Sequence, residues 1–151
     1  MFFVEIDNAP ERLRGLPSWL LNQAALAANR IVGDGLGAVG AHRSHYAVLS
    51  ALDEFGPASQ AALGRRCGID RSDMVALINA LSRDGVVARR PDPADRRRNV
   101  VTITTAGRRR LRSLEAVVAR LQDALLAPLS AAERRQLVGL LRRVVEHHGT
   151  T

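Results

Sequence analysis

The chain has 151 residues, and its 46% hydrophobic and 3% aromatic composition suits a single globular domain. It carries a net charge of +7, with arginine at all 22 basic positions, and no apolar run approaches the ~20 residues of a membrane span. The single cysteine excludes an internal disulfide framework. Because the first residues lack the layout of a signal peptide, we expect a cytoplasmic protein that makes no contact with a membrane.

The positive charge is concentrated in one segment. Residues 83–112 hold ten arginines against three acidic residues, which accounts for the whole net charge of +7. Elsewhere twelve arginines are balanced by twelve acidic residues. A concentrated basic patch indicates a polyanionic partner, most often nucleic acid, although most charge runs are simply solvated faces.

The N-terminal third is predicted to hold an irregular arm, one helix and a linker. Proline and glycine breakers make residues 1–17 irregular, and Ser18 is the predicted N-cap of a helix over 19–32. The glycine-rich segment 33–40 lacks the preceding strand and the following Lys-Ser/Thr of a phosphate loop. It is therefore predicted to be a linker.

Three further helices are predicted in the middle of the chain, over 43–55, 60–66 and from residue 70 to Gly85. The first has a predicted buried stripe made of Tyr46, Leu49, Leu52 and Phe55. The third opens with a capping-box-like "DRSD", and its glycine is expected in the left-handed conformation that ends helices. Its predicted core face consists of Met74, Leu77, Ile78 and Leu81.

A hairpin is predicted immediately after these helices. Strand-like residues at 86–87 and 100–104 enclose the turn "RRPDPADRRRN", which carries three consecutive arginines. Two short helices joined by a glycine-containing turn form a helix-turn-helix pattern. A helix-turn-helix followed by a hairpin predicts a winged helix, in a mainly α (α+β) fold.

Two helices are predicted to close the chain. The first runs from residue 105 to about 126 with an apolar seam at heptad-like spacing, formed by Leu111, Leu114, Val118, Leu121 and Leu125. Pro128 breaks it, and the capping box "SAAE" opens the last helix. The last helix is predicted to turn Leu137, Leu140, Leu141, Val144 and Val145 inward.

Three motifs follow one another within residues 69–111. A helix ends in "L-x-x-x-G" followed by Arg89, the hairpin carries Asp-x-Arg at 95–97, and a strand with Thr104 leads through Gly107 into a long helix. In these motifs the segment resembles the core of the MarR family of bacterial transcription regulators, and in helix order the resemblance covers roughly 19–147.

The resemblance implies a winged helix-turn-helix DNA-binding domain over 43–104, with the helices of 18–42 and 105–151 forming a dimerisation region. It implies a homodimer that binds double-stranded DNA at an inverted-repeat operator, as a repressor relieved by a small-molecule effector. Neither a cofactor nor a metal is implied. No catalytic motif occurs in the sequence, and we therefore expect no enzyme activity.

The resemblance also assigns DNA-binding roles. It makes Arg97 the minor-groove probe and Asp95 its holder, with Arg96 and Arg98 on flanking phosphates. Base reading is expected from the exposed face of the helix predicted from residue 70 to Gly85. This face carries Arg71, Ser72, Asp73, Val75, Ala76, Asn79 and Arg83. Many family members have Thr and Arg where this chain has Val75 and Ala76, and Asp73 is better explained as part of the cap.

The candidate effector residues are Trp19, Arg30, His45 and Tyr46, although the two aromatic side chains suit an interface core better. His42 and His45 are three apart, and they are expected to be surface or cap-proximal polar residues rather than metal ligands. Cys67 is expected to be a small buried hydrophobe, with oxidant sensing as the alternative. Two other functions stay open: a non-specific architectural DNA-binding protein, and a metal- or redox-responsive sensor.

Overall fold

The computed structural model describes residues 2–149, and most of these residues are helical. In chain order the elements after a single 3-10 turn at Ile6–Asn8 are α1 (Glu11–Arg14), α2 (Pro17–Gly37), α3 (Arg43–Phe55), α4 (Gln60–Cys67), α5 (Arg71–Arg83), β1 (Val87–Pro91), β2 (Asn99–Ile103), α6 (Thr105–Leu125) and α7 (Ala131–His148). None of these helices is long and apolar enough to cross a membrane.

The glycine-rich segment that was predicted to be a linker belongs largely to a helix. Helix α2 starts at Pro17 and continues through Gly37, so the predicted linker is wrong over 33–37. Gly35 lies where α2 crosses α6, and a Cβ at this position would overlap the side chain of Leu121. Leu36 is buried beside it. Close packing of two helices therefore explains a glycine inside this helix.

The N-terminal arm is more ordered than predicted. Besides the 3-10 turn it contains α1, and the N–H of Val4 donates a hydrogen bond of 2.9 Å to the Oε1 atom of the buried Gln23. Ser18 is not the cap of α2, because the helix begins one residue earlier with Pro17 at its first position.

The helix-turn-helix is formed by α4 and α5, which pack with α3 around one core. Asp70 caps α5, with its Oδ1 atom accepting the N–H of Asp73 at 3.0 Å. Gly85 adopts a φ of +72°, as predicted for a left-handed residue after the helix. The core contains Leu36, Val48, Leu49, Ala51, Leu52, Leu63, Met74, Leu77, Ile78, Leu81, Val86, Val87, Val101, Ile103, Leu111 and Leu114.

Phe55 does not belong to the buried stripe of α3, because 62% of it is exposed. It lies in the last turn of the helix, and Val48 and Ala51 are buried instead. The guanidinium of Arg66 stacks over its ring at 3.9 Å from the centroid. A cation from α4, rather than the core, covers this aromatic ring.

The hairpin is antiparallel, with Val87 opposite Ile103 at its base and Pro91 opposite Asn99 near its tip. A bridge between Ala58 and Val101 attaches it to the segment before α4. The prediction that Thr104 belongs to the strand is wrong, because β2 ends at Ile103 and Thr104 caps α6. Its hydroxyl accepts the N–H of Gly107 at 3.0 Å and donates to the carbonyl of Gly85 at 2.7 Å.

The two C-terminal helices bury their apolar residues differently. Leu111 and Leu114 of α6 lie in the core of their own subunit, and Val118 and Leu121 pack against it. The prediction that the apolar residues of α7 turn inward is wrong for the single subunit, since Leu140 is 58% and Val145 69% exposed. No buried residue is found in α7.

Candidate DNA interface

Helix α5 presents a fully exposed face. Its core-facing residues are buried, as the helical period predicted. The residues on the opposite side are all exposed: Arg71, Ser72, Asp73, Val75, Ala76, Asn79 and Arg83. The helix therefore displays a polar and basic surface that is free of contact with the subunit's core.

The first turn of α5 is organised by Asp70. The Ser72 hydroxyl donates to the Asp70 carboxylate at 2.8 Å, and with the Asp73 N–H it holds the pKa of Asp70 below its usual value. Asp73 thus contributes its backbone to the cap, and Ser72 its side chain. Within residues 2–149 the Arg71 side chain has no hydrogen bond or ion pair, so its guanidinium is available to an external acceptor.

The tip of the hairpin is a turn closed by two aspartates. Asp92 accepts the N–H of Ala94 at 2.9 Å through Oδ1 and donates its own N–H to the carbonyl of Arg98 at 2.8 Å. Asp95 accepts the N–H of Arg97 at 3.0 Å through Oδ1, and its carbonyl accepts the N–H of Arg98 at 3.0 Å. These bonds fix the backbone from which the arginines project.

Asp95 contacts two of the three arginines that follow it, Arg97 and Arg98, in different ways. It holds Arg97 through the backbone N–H, whereas its Oδ2 atom lies 3.7 Å from the Nε atom of Arg98 in an exposed ion pair. The side chains of Arg96 and Arg97 have no partner among the described residues. The holding role expected of Asp95 is therefore compatible with the geometry, but through a backbone hydrogen bond.

The sequence assigns no role to Arg89, although this arginine belongs to the motif that ends α5. Its guanidinium lies between α4 and α5, where Nη2 donates to Asn79 Oδ1 at 2.6 Å and Nε donates to Gln60 Oε1 at 3.2 Å. It thereby links the hairpin to both helices of the helix-turn-helix. The only signal in the sequence was its fixed distance from Gly85.

The four candidate effector residues lie on two helices, Trp19 and Arg30 on α2 and His45 and Tyr46 on α3. Arg30 lies over the ring of Phe3, 5.7 Å from its centroid, and Trp19 and Tyr46 are half-buried. His45 lines a cavity of about 280 Å³ together with Asp84 and Arg110. Burial, followed by the nearby charges of His42 and Arg110, lowers the pKa of His45.

The histidines near the start of α3 form a helix cap. The Nδ1 atom of His42 accepts the N–H of Ser44 at 3.2 Å, and the Nδ1 atom of His45 accepts the N–H of His42 at 3.3 Å. Over residues 2–149 no group of three His, Cys, Asp or Glu side chains could hold a metal ion. The pair was predicted to be surface or cap-proximal, and the structure shows that both side chains take part in the cap itself.

Cys67 is half-buried and packs against the core. Burial raises the pKa of its thiol, and the neighbouring Arg66 only partly opposes this shift. A raised pKa keeps the thiol protonated and less reactive. This environment agrees with the predicted role as a small hydrophobe.

An exposed helix of a helix-turn-helix beside a basic hairpin defines a winged-helix DNA-binding protein. Residues 40–98 match the model of the MarR family. A solved structure described as a probable transcriptional regulator from Pseudomonas aeruginosa has 33% identity and a TM-score of 0.76, over 88% of this chain and 99% of that one. This chain belongs to the MarR family of transcriptional regulators.

Two other solved structures are similar along most of their length. The transcriptional repressor CouR, bound to a 23-mer DNA duplex, is 27% identical with a TM-score of 0.80, over 89% of this chain and 96% of CouR. BpsR from Bordetella bronchiseptica, whose DNA binding is regulated by 6-hydroxynicotinic acid, is 26% identical with a TM-score of 0.77, over 90% and 97%. The chain spans 64% of the length of the first two curated relatives that it matches.

Proposed function

We propose that this regulator is a homodimeric repressor that binds an inverted-repeat operator and releases it when a small molecule binds. The observation that carries the proposal is the placement of the excess charge. The hairpin that carries the tip arginines is joined to the exposed face of α5 through the hydrogen bond of Arg89 to Asn79. CouR, of similar fold, is a repressor seen on DNA.

The two elements suit different grooves. An exposed helix of the size of α5 fits the major groove, where Arg71 can donate to guanine and Val75 can contact a thymine methyl group. The hairpin tip is narrow enough to enter the minor groove, where a guanidinium gains from the strong negative potential of A·T-rich DNA. We assign that role to Arg97, with Arg96 and Arg98 on phosphates.

Dimerisation is proposed because large apolar side chains are exposed at both ends of the chain. The α1–α2 region and α7 expose Leu13, Leu16, Leu20, Leu21, Val138, Leu140, Leu141, Val144 and Val145. Soluble monomers rarely expose so many large apolar residues on their helices. We therefore assign 18–42 and 105–151 to dimerisation, and 43–104 to DNA binding.

The effector is proposed to act at the junction of these two regions. The cavity beside His45 lies between the start of α3, the end of α5 and α6, and it contains the cation of Arg110. A small anionic molecule in it would contact both regions at once. Regulation of BpsR by 6-hydroxynicotinic acid supports an effector of this size. Trp19, Arg30 and Tyr46 remain candidates for a site completed by the second subunit.

Competition binding tests the proposal. Labelled DNA from upstream of the protein's own gene is titrated with unlabelled copies of itself or with random DNA of equal length. A repressor with an operator requires a large excess of the random competitor, whereas an architectural protein is displaced equally by both. Sedimentation of the free protein at micromolar concentration must also show a dimer, and a stable monomer would contradict the proposal.

A further inference from the structure

Arg89 joins three elements at the edge of the candidate DNA interface. It lies on β1, opposite Val101 in the hairpin, and its guanidinium binds Asn79 of α5 and Gln60 at the first position of α4. The bond to Asn79 is the shorter one, at 2.6 Å. The side chain of Asn79 on α5 is thus held by a residue of the hairpin.

The chemistry of this contact fixes which way the Asn79 amide points. A guanidinium has five donors and no acceptor, so only the amide oxygen of Asn79 can face it. The amide nitrogen, with its two hydrogens, is left on the outer side. An unrestrained asparagine could turn both its oxygen and its nitrogen toward DNA and pair with the N6 and N7 atoms of adenine.

We propose that Arg89 is a positioning residue that makes Asn79 a pure hydrogen-bond donor toward DNA. Asn79 then binds acceptor atoms, either on a base edge, such as guanine O6 or thymine O4, or on a phosphate. The paired contact with adenine needs the oxygen and the nitrogen of the amide to face the same base edge, whereas the bond to Arg89 turns the oxygen toward the hairpin. The inference rests on the proposed binding of α5 to DNA.

Three variants of the full chain test this assignment. Asn79→Asp keeps an oxygen for Arg89 but replaces the outward donor by an acceptor, and Asn79→Ala removes both. Arg89→Met keeps length and apolar packing while releasing the amide. Melting temperature, affinity for a selected operator, and sequences selected from a random DNA pool are measured for each variant and the wild type.

Asn79→Asp should fold like the wild type and bind the operator roughly 5- to 10-fold more weakly, as expected for one lost hydrogen bond with added repulsion. Arg89→Met should admit adenine at one position of each half-site if Asn79 reads a base. If Asn79 binds a phosphate, Asn79→Asp and Arg89→Met should both bind the operator more weakly, and the selected sequence motif should be unchanged. Wild-type affinity in Asn79→Asp would overturn the inference.

The failure of the inference can be separated from the failure of the proposed function. If the wild type selects no motif and is displaced equally by any DNA, the operator proposal is wrong. If the wild type selects a motif and Arg89→Met shows the same motif and affinity, only the positioning role is wrong. If Arg89→Met has a much lower melting temperature than the wild type, the operator affinity of Asn79→Asp alone tests the positioning role, because this variant retains the contact with Arg89.

Discussion

Replacing Asp95 tests how the wing presents its arginine. Its Oδ1 atom accepts the N–H of Arg97 at 3.0 Å, and Asp95→Ala removes that bond while leaving every arginine in place. One such hydrogen bond in an exposed turn is worth about 1 kcal/mol. If the bond orders the turn before DNA binds, Asp95→Ala should bind the operator roughly five-fold more weakly than Asp95→Asn, which removes the same charge but can keep the bond.

Asp95→Asn is the matched control. Its amide oxygen can still accept the N–H of Arg97, and only the ion pair with Arg98 is lost. That pair is 3.7 Å long with side chains 78% and 46% exposed, so it contributes little. Removing a negative charge close to the phosphates is itself favourable, and Asp95→Asn should therefore bind at least as tightly as the wild type.

Fluorescence anisotropy with a labelled operator at fixed salt measures these affinities. A double-mutant cycle adds a second readout, because Asp95→Ala should have little further effect once Arg97 is already alanine. Equal losses in Asp95→Ala and Asp95→Asn would refute the backbone account and show that the charge of Asp95 is what matters.

Further predictions concern the wing, the dimer and pH. Arg97→Ala should weaken operator binding more than Arg96→Ala or Arg98→Ala in gel-shift titrations, and equal effects would argue against minor-groove insertion. Leu140→Glu should give a folded monomer in sedimentation that no longer binds the operator, because the exposed apolar face of α7 is interrupted; an intact dimer would contradict this. Because the pKa of His45 is lowered in the folded protein, the unfolded chain binds more protons below about pH 6.5. The free energy of unfolding should therefore fall as the pH drops through that value, and it should fall less in His45→Gln, whose amide oxygen can still accept the cap bond. If the free energy of unfolding, measured by denaturation, falls with pH equally in the wild type and in His45→Gln, the prediction is contradicted.

Much of the fold could be predicted because its signals are local. The bounds of α3, the cap of α5 at Asp70 and the capping box of Ser130 and Glu133 all follow from neighbouring residues, and the structure confirms them. The alternation of residues along β2 likewise predicted a strand that the structure contains. Short-range hydrogen bonding and periodicity were sufficient for these elements.

The features that the sequence did not predict lie where distant parts of the chain meet. Glycine at position 35 is typical of a helix breaker, but Gly35 lies inside α2, where the side chain of Leu121 from α6 packs directly against it. The apolar residues of α7 show a helical period without revealing whether the same subunit or a second one covers them. The contact of Arg89 with Gln60 and Asn79 joins residues 29 and 10 positions apart, and no local pattern predicts it.

Selection of binding sequences from a random DNA pool tests the central claim most directly. A symmetric dimer with one recognition helix in each subunit should select an inverted repeat whose half-sites lie about one helical turn, ~10 bp, apart. Arg71→Ala should erode the preference at one position of each half-site by ~1–3 kcal/mol if Arg71 pairs with guanine. Enrichment of no motif, or of a single unpaired half-site, would contradict the proposal of a homodimer on an inverted-repeat operator.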